Sequence, residues 1–231
     1  MTDQSTLGIY DLTKPVTLSY RSLDKARAFK KGGKDRGEPK FDGTFLFETG
    51  HPDWDALRKV AAAVARAKWP NRDLKEIAFP FKSGDARFAK AEAEAKKAGK
   101  DVSPVAAAEK GKGVLTARSK YRPGLGGVEN GVAVDYNTDE AVAKAISKFY
   151  SGAQVYASFK FVTYEAVRDG DKDGVNVYLN SVFTLNKGEK LGGGGTSTAE
   201  RFSAYVGAAT EFDPTGGEDI PGADDDLPPL E

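Results

Sequence analysis

The chain has 231 residues, no cysteine and one histidine, His51, which excludes disulfides, thiolate metal sites and His-based zinc clusters, and with them most hydrolytic metal and triad chemistry. Its 34 basic and 34 acidic side chains balance, yet eight of the acids and none of the bases lie between Glu211 and Glu231, so the body is +8 and the end −8. A basic body suits a polyanionic partner, and a like-charged block of this length reads as an unfolded interaction tail.

No apolar run approaches the ~18 residues that span a bilayer, and MTDQST has neither the basic region nor the apolar stretch of a secretion signal. These features predict a soluble protein of the cytoplasm, without membrane or cofactor. Its expected organisation is one elaborated domain over residues 1–210, with an insertion around 50–112, and a disordered acidic tail over 211–231.

In chain order, Val16 to Leu23 opens with Val, Leu and Tyr at every second position, and Phe41, Phe45 and Phe47 resume that spacing. Both segments read as half-buried strands. Between them, Lys30 to Lys40 (KKGGKDRGEPK) is rich in glycine and charge and predicts a mobile basic hairpin loop. Asp53 to Trp69 sets Leu57, Val60 and Val64 on one helical face, with Pro52 at its start and Pro70 beyond its end, a helix with ordinary stop signals. Ser83 to Lys112 is apolar mainly through alanine and predicts an exposed insertion, helical around Ala89 to Ala98.

Gly113 to Tyr121 returns to strand character. After a glycine-rich turn, Asn137 to Phe149 places Val142, Ala145, Ile146 and Phe149 on one face, with Asn137 and Glu140 spaced as a capping box. Ala153, Val155, Ala157, Phe159 and Phe161 then alternate with polar residues and Tyr156, and beyond RDGDKDG so do Val175, Val177, Leu179, Phe183 and Leu185. This predicts a long antiparallel hairpin. The order of elements predicts a mainly β fold, a five-stranded OB-fold barrel with a helix between strands 3 and 4 and an additional helical insertion between strands 2 and 3.

Binding an unpaired nucleic-acid strand takes cations along the backbone path and rings on which bases stack. The non-core face of the late hairpin offers Tyr156, Lys160 and Tyr178, and the third strand sets Arg118 and Lys120 on one face with Arg122 just after it. Phe79, Phe81 and Lys82 put rings beside a cation, and Lys30, Lys31, Lys34 and Arg36 form a basic arm. The candidate DNA-binding set is therefore Lys30, Lys31, Lys34, Arg36, Phe81, Lys82, Arg118, Lys120, Arg122, Tyr156, Lys160 and Tyr178.

Other motifs fail. Asp169, Asp171, Asp173 and Gly174 match the front of an EF-hand loop, but its twelfth position is Asn180 and strands flank it. Gly192 to Gly195 lacks the Lys-Ser or Lys-Thr of a P-loop. Asp53 and Asp55 suit a helix N-terminus rather than a catalytic pair. No catalytic or metal-binding set is expected, and the chain reads as a binder rather than an enzyme.

The ordered segments TLSYRSL, FDGTFLF, IAFPFKSGD, GVLTARSKYRPG, FYSGAQVYASFKFVTYE and DGVNVYLNSVFTLNKGEKLGGG together resemble the phage single-stranded DNA-binding family long known as a domain of unknown function. FYSG before the fourth strand and KGEKLGGG after the fifth are its most specific marks, and the resemblance runs from about Lys14 to Asp213. It implies an OB-fold that coats single strands during phage replication and recombination without reading sequence, in the infected bacterial cell. Asp224, Asp225 and Asp226, followed by Leu227 and Leu230, resemble the acidic tips by which such binders recruit a polymerase or helicase, although those tips end on a bulky aromatic and this one ends on Glu231. A homo-oligomer is compatible with this reading. Two alternatives stand beside it: a β-rich phage structural protein, which binds no oligonucleotide, and a nuclease, which needs carboxylates converging on a metal.

Overall fold

A computed structural model of the chain describes residues 7–31, 34–168 and 170–192, with side chains described outside 29–36. The alternating segments pair as strands, and among the described residues one sheet of nine forms: β1 (Ile9–Asp11), β2 (Val16–Lys31), β3 (Lys34–Phe47), β4 (Phe81–Ser83), β5 (Gly113–Ser119), β6 (Gly124–Glu129), β7 (Val132–Asp135), β8 (Gln154–Tyr164) and β9 (Gly174–Thr184). Their order is β4-β5-β3-β2-β8-β9-β6-β7, with β1 also on β8. β5 runs beside β9 without a ladder, so the sheet curls on itself. The helices α1 (Pro52–Lys68), α2 (Gly84–Lys97), α3 (Pro104–Ala107) and α4 (Asp139–Ala145) occupy the connections. The architecture is mainly β with few helices.

Inside the curl, Leu18, Phe45, Phe47, Leu115, Phe159 and Phe161 are buried. Phe45 meets Phe159 edge to face at 5.1 Å. Each such side chain contributes about 1.5–3 kcal/mol by leaving water. α1 presents Leu57, Ala61, Val64 and Ala65 to the same core.

Asp53 is more than a helix-end charge. Fully buried, it accepts hydrogen bonds from the Tyr10 hydroxyl at 2.7 Å, the Thr13 hydroxyl at 2.7 Å, and the Thr13 and Lys14 backbone N–H groups at 3.0 Å each. The α1 cap itself is His51, whose Nδ1 accepts from the Asp53 N–H. Burial pushes the Asp53 carboxyl up, but these bonds together outweigh it and hold the group below its ordinary value. Burial, followed by the bond to Asp53, pushes Tyr10 up to about 12. The clasp fixes the β1–β2 turn to α1.

The departures from the expected fold have local causes. The described residues of the Lys30 to Lys40 segment are strand: β2 and β3 pair through them, Lys31 opposite Lys34 and Arg27 opposite Lys40, with register shifts along the way. A ladder satisfies backbone groups without needing apolar side chains, so charge does not forbid it. The glycine-rich turn after β5 is a hairpin of its own, β6–β7, with β6 parallel to β9. β4 is an added edge on β5. On β9 a register shift opposite Ser158/Phe159 reverses the alternation, so Val182 and Thr184 are buried while Phe183 and Leu185 are only half-buried. The α4 cap is Thr138, one residue beyond the expected Asn137, its hydroxyl accepting from the Ala141 N–H.

The two halves of the sheet meet where β2 pairs with β8 at Val16–Val155 and Thr17–Gln154. The join is reinforced by the Gly152 N–H donating to the Leu18 carbonyl at 2.7 Å and the Leu18 N–H to Ala153 at 2.9 Å. The segment after β9 folds back on the same place: the Gln154 N–H donates to Lys187 O and the Leu191 N–H to Ser151 O, both at 2.7 Å, and the Tyr150 hydroxyl to Gly188 O at 2.8 Å. Gly152 has φ +104°, and a Cβ there would stand 1.7 Å from the Glu189 carbonyl oxygen. Only glycine fits.

Asp53→Ala should cost about 3 kcal/mol in urea unfolding, because it strands buried donors that faced a charged acceptor. Since the folded pKa is depressed, the Asp53 contribution is present above its unfolded value of about 3.9 and is lost as pH falls through the folded one. Asp53→Asn should therefore be less stable at neutral pH and lose less on acidification. Equal acid sensitivity in the two proteins contradicts the clasp. Gly152→Ala should lower the folded fraction outright, read by circular dichroism.

Candidate nucleic-acid interface

The outer face of β2, β3 and β5 follows from their register. Tyr20 lies opposite Thr44 and Thr44 opposite Thr116, and likewise Ser22, Asp42 and Arg118 stand in a row. The Thr44 and Thr116 hydroxyls bond at 3.0 Å. Over this face stand α2 and α3, started by Ser83 and Ser103, whose hydroxyls accept from the Ala86 and Ala106 N–H groups. Arg87 of α2 makes a two-pronged pair with Glu109, Nε–Oε2 at 2.6 Å and Nη2–Oε1 at 2.9 Å, which fixes the insertion to the chain entering β5.

Sheet and insertion enclose a groove of about 1530 Å³. Its walls carry Arg27, Lys40, Lys82, Arg87, Lys90 and Arg118, with Tyr20 on the sheet side, against the acids Glu38, Asp42, Glu94 and Glu109. Each acid has a cationic neighbour: Glu38 bonds Lys120 at 2.5 Å, Asp42 lies 3.9 Å from Arg118, Glu94 4.0 Å from Lys90, and Glu109 holds Arg87. Among the described residues Arg27, Lys40 and Lys82 make no ion pair, so the groove keeps uncommitted positive charge.

Glu38 ties the groove to the hairpin face. Its bond to Lys120 holds its carboxyl below the ordinary range and, in return, raises the Lys120 ammonium, which the phenols of Tyr121 and Tyr178 raise further. Tyr121 is 82% exposed, Tyr20 47% and Tyr178 45%. Lys160 is exposed directly opposite Tyr178. The result is a continuous path from the groove across Lys120 to two open tyrosine rings and a further lysine.

Of the residues singled out from the sequence, Lys82 and Arg118 line the groove, and Lys120, Tyr178 and Lys160 lie on its continuation. Arg122 is exposed but engaged with Asp139 at the start of α4. Tyr156 is half-buried opposite Phe183, packed against the core and not in the groove. Phe81 is half-buried too, its ring 5.2 Å from Trp54 and 6.0 Å from Phe161. The side chains of Lys30, Lys31, Lys34 and Arg36, and the tail residues Asp224, Asp225, Asp226, Leu227 and Leu230, lie outside the described residues. Sequence reasoning missed Tyr20, Arg27, Lys40, Arg87, Lys90 and Tyr121. The alternation of β2 groups Tyr20 with the buried Val16 and Leu18, and a register shift between Leu18 and Tyr20 turns it outward instead; the partner wall could be assigned only once α2 was placed over the sheet.

Among the described residues no three His, Asp or Glu side chains gather as metal ligands, and no helix is long and apolar enough to cross a membrane. Asp173, from the rejected EF-hand-like run, accepts instead from the Ala166 N–H at 2.6 Å and from Arg72 at 2.5 Å.

A family model described as Enterobacter phage Enc34, ssDNA-binding protein, matches residues 11–213. The chain belongs to this family. Among solved structures, the single-stranded DNA-binding protein of bacteriophage Enc34 in complex with ssDNA is 20% identical, covering 80% of this chain and 90% of that one at a TM-score of 0.56. The same phage protein described without DNA is 18% identical, covering 84% and 90%, at 0.54, and its C-terminal truncation 20% identical, covering 79% and 88%, at 0.51. These likenesses show a shared fold. No curated protein sequence matches the chain. In this member of the Enc34 family, FYSG and KGEKLGGG are the two sides of the Gly152 clasp, and their described residues line neither the groove nor its continuation.

Asp42 is the weak point of the groove floor. Burial pushes its carboxyl up, only partly opposed by Arg118 and Arg27, and its buried Oδ1 has no hydrogen-bond partner among the described residues. A raised folded pKa gives a stability contribution present below the unfolded value of about 3.9 and lost as pH rises through the folded one. Asp42→Asn should therefore remove this loss, leaving a protein at least as stable as wild type at neutral pH, with a flatter dependence of Tm between about pH 4 and 7. A steeper dependence contradicts the assignment.

Proposed function

We propose that this chain binds single-stranded DNA without reading its sequence and coats it during phage DNA replication and recombination in the infected bacterial cell. The observation that carries the reading is the charge of Arg27, Lys40 and Lys82, which make no ion pair among the described residues, in a groove that continues onto the open rings of Tyr121 and Tyr178. Phosphates take the cations and unpaired bases stack on the rings, an arrangement indifferent to base identity because every base has a π-face. Membership of a family named for single-stranded DNA binding supports it, as does the likeness in fold to the Enc34 protein solved in complex with ssDNA.

The strands β2, β3, β5, β8 and β9, with α4 between β5 and β8, take the places of an OB-fold barrel in this reading, elaborated by β1, β4, β6, β7 and the α2–α3 insertion. The pairing order β5-β3-β2-β8-β9 supports it, as does β5 running alongside β9. The protein acts by binding alone. Residues 1–210 form the DNA-binding domain, and residues 211–231 form an acidic tail that competes with DNA for the groove and presents Asp224–Asp226, Leu227 and Leu230 to replication proteins.

Titration of a fluorescent mixed-sequence oligonucleotide at several salt concentrations tests the reading. Log affinity should fall linearly with log salt by about 0.7 per neutralised phosphate, and Lys82→Ala or Arg118→Ala should each reduce that slope by about 0.7. Tyr178→Ala should cost about 1–3 kcal/mol of binding with Tm nearly unchanged. Truncation after Thr210 should tighten binding, most at low salt. Absence of binding at low salt sinks the proposal and favours the structural-protein alternative.

A further inference from the structure

The row of side chains that holds Tyr178 does not end at Lys160. Tyr178 on β9 stands opposite Lys160 on β8, and Lys160 stands opposite Ile9 on β1. Paired residues point to the same side of a sheet, so the three line up on one outer face with neighbouring Cβ atoms about 5 Å apart. Lys160 is exposed and makes no ion pair among the described residues. Ile9 is 40% exposed, nearly as open as Tyr178. Two residues along β8, Val162 is half-buried on the same face, opposite the exposed Asn176. The Phe161 N–H donates to the Gly8 carbonyl at 2.8 Å, which carries the β1 register back to Leu7, itself 42% exposed. Ile9, Val162 and Leu7 thus make an apolar ledge just beyond the lysine.

A single exposed aliphatic side chain needs no explanation, but a contiguous group beside an open ring and an unpaired cation marks a contact surface. Its order is ring, cation, apolar ledge, which matches base, phosphate, base in an unpaired strand. An apolar segment of a protein partner would use the ledge and gain nothing from the lysine. The row is also continuous with the path from Lys120 and Tyr121 to Tyr178. On the other side of Ile9, Asp11 is exposed opposite Ser158. Its carboxylate repels a phosphate and leaves the Lys160–Leu7 side as the open way on.

We propose that Ile9 and Val162 form a base-binding ledge beyond Tyr178: one base stacks on Tyr178, the adjoining phosphate lies on Lys160, and the next base packs on Ile9 and Val162. The assignment rests on the single-strand-binding reading and carries the strand across β8 onto β1, to residues outside the site described above.

The test compares full-length wild type with Ile9→Lys, Ile9→Thr, Lys160→Ala and, as a control, Val132→Lys, which puts the same new charge on an exposed position of β7 off the path. Anisotropy titrations use labelled thymidine oligonucleotides of about 4 and about 16 nucleotides, the two ends of OB-fold site sizes, with binding referred to the folded fraction read by circular dichroism. With the long oligonucleotide, Ile9→Lys should steepen the slope of log affinity against log salt by about 0.7, and Lys160→Ala should flatten it by about 0.7. Ile9→Thr should weaken binding about fourfold, the worth of one buried methylene, with the slope unchanged. With the short oligonucleotide, which the groove holds by itself, these three variants should match wild type, and Val132→Lys should match it with both. A wild-type slope in Ile9→Lys or Lys160→Ala, wild-type affinity in Ile9→Thr, or an equal steepening in Val132→Lys overturns the ledge and leaves the proposed function standing. Absence of binding by wild type at low salt overturns the single-strand reading and the ledge with it.

Discussion

Everything in this sheet depends on a short junction that tolerates no side chain at Gly152. The half that carries the groove, β2, β3, β5 and β4, is joined to the half that carries Tyr178 by the pairing of Val16 and Thr17 with Val155 and Gln154. So short a ladder is marginal by itself. It is completed by backbone bonds from Gly152 to Leu18 and from the Lys187–Leu191 segment back to Ser151 and Gln154, and these need two main chains to touch where a Cβ would collide. The glycine-containing signatures at either end of the β8–β9 hairpin are thus explained by one contact. Their role is to hold the groove and the Tyr178 face, the two parts of the proposed DNA path, in register.

The path itself is built from weak commitments. An exposed ion pair contributes little, so a phosphate approaching Lys120 displaces Glu38 at small cost, while Arg27, Lys40 and Lys82 make no ion pair among the described residues. The acids along the wall keep the basic residues from repelling one another in the free protein. A surface of this kind binds through charge and stacking, both insensitive to base identity. By contrast the Arg87–Glu109 pair has one member buried and two short bonds; it holds the insertion in place and is not open to exchange.

Strong periodicity made part of this architecture legible in advance. α1, the insertion helix α2, the start of β2, and the β8–β9 hairpin all follow from apolar spacing and from the proline, glycine and capping residues around them. What escaped was set by pairing over long distances. The described residues of the charged Lys30 to Lys40 segment are extended because β2 and β3 template each other. β6 and β7 are too short and glycine-rich to announce themselves, and the reversal of faces on β9 comes from a shift opposite Ser158 that leaves no mark in composition. The site divides the same way. Tyr178, Lys160, Lys120 and Arg118 were readable as exposed because strand alternation puts them outside, and Lys82 was singled out only as a cation beside Phe79 and Phe81. Arg87 and Lys90 were not, because an alanine-rich helix with charges on several faces does not reveal which face meets a sheet; Phe81 proved half-buried because Trp54 and Phe161 pack on its ring, and Tyr156 because it packs against the core.

The central claim is that single-stranded DNA lies between the β2–β3–β5 face and the α2–α3 insertion. Hydrogen exchange of the full chain with and without a saturating mixed-sequence oligonucleotide tests it most directly. The account predicts slowed exchange concentrated in Tyr20 to Lys40, Lys82 to Glu94 and Arg118 to Tyr121, with the solvent face of α1 and the β6–β7 hairpin unchanged. Protection confined to β6–β7 or to α1, with the groove segments exchanging as in the free protein, would contradict it.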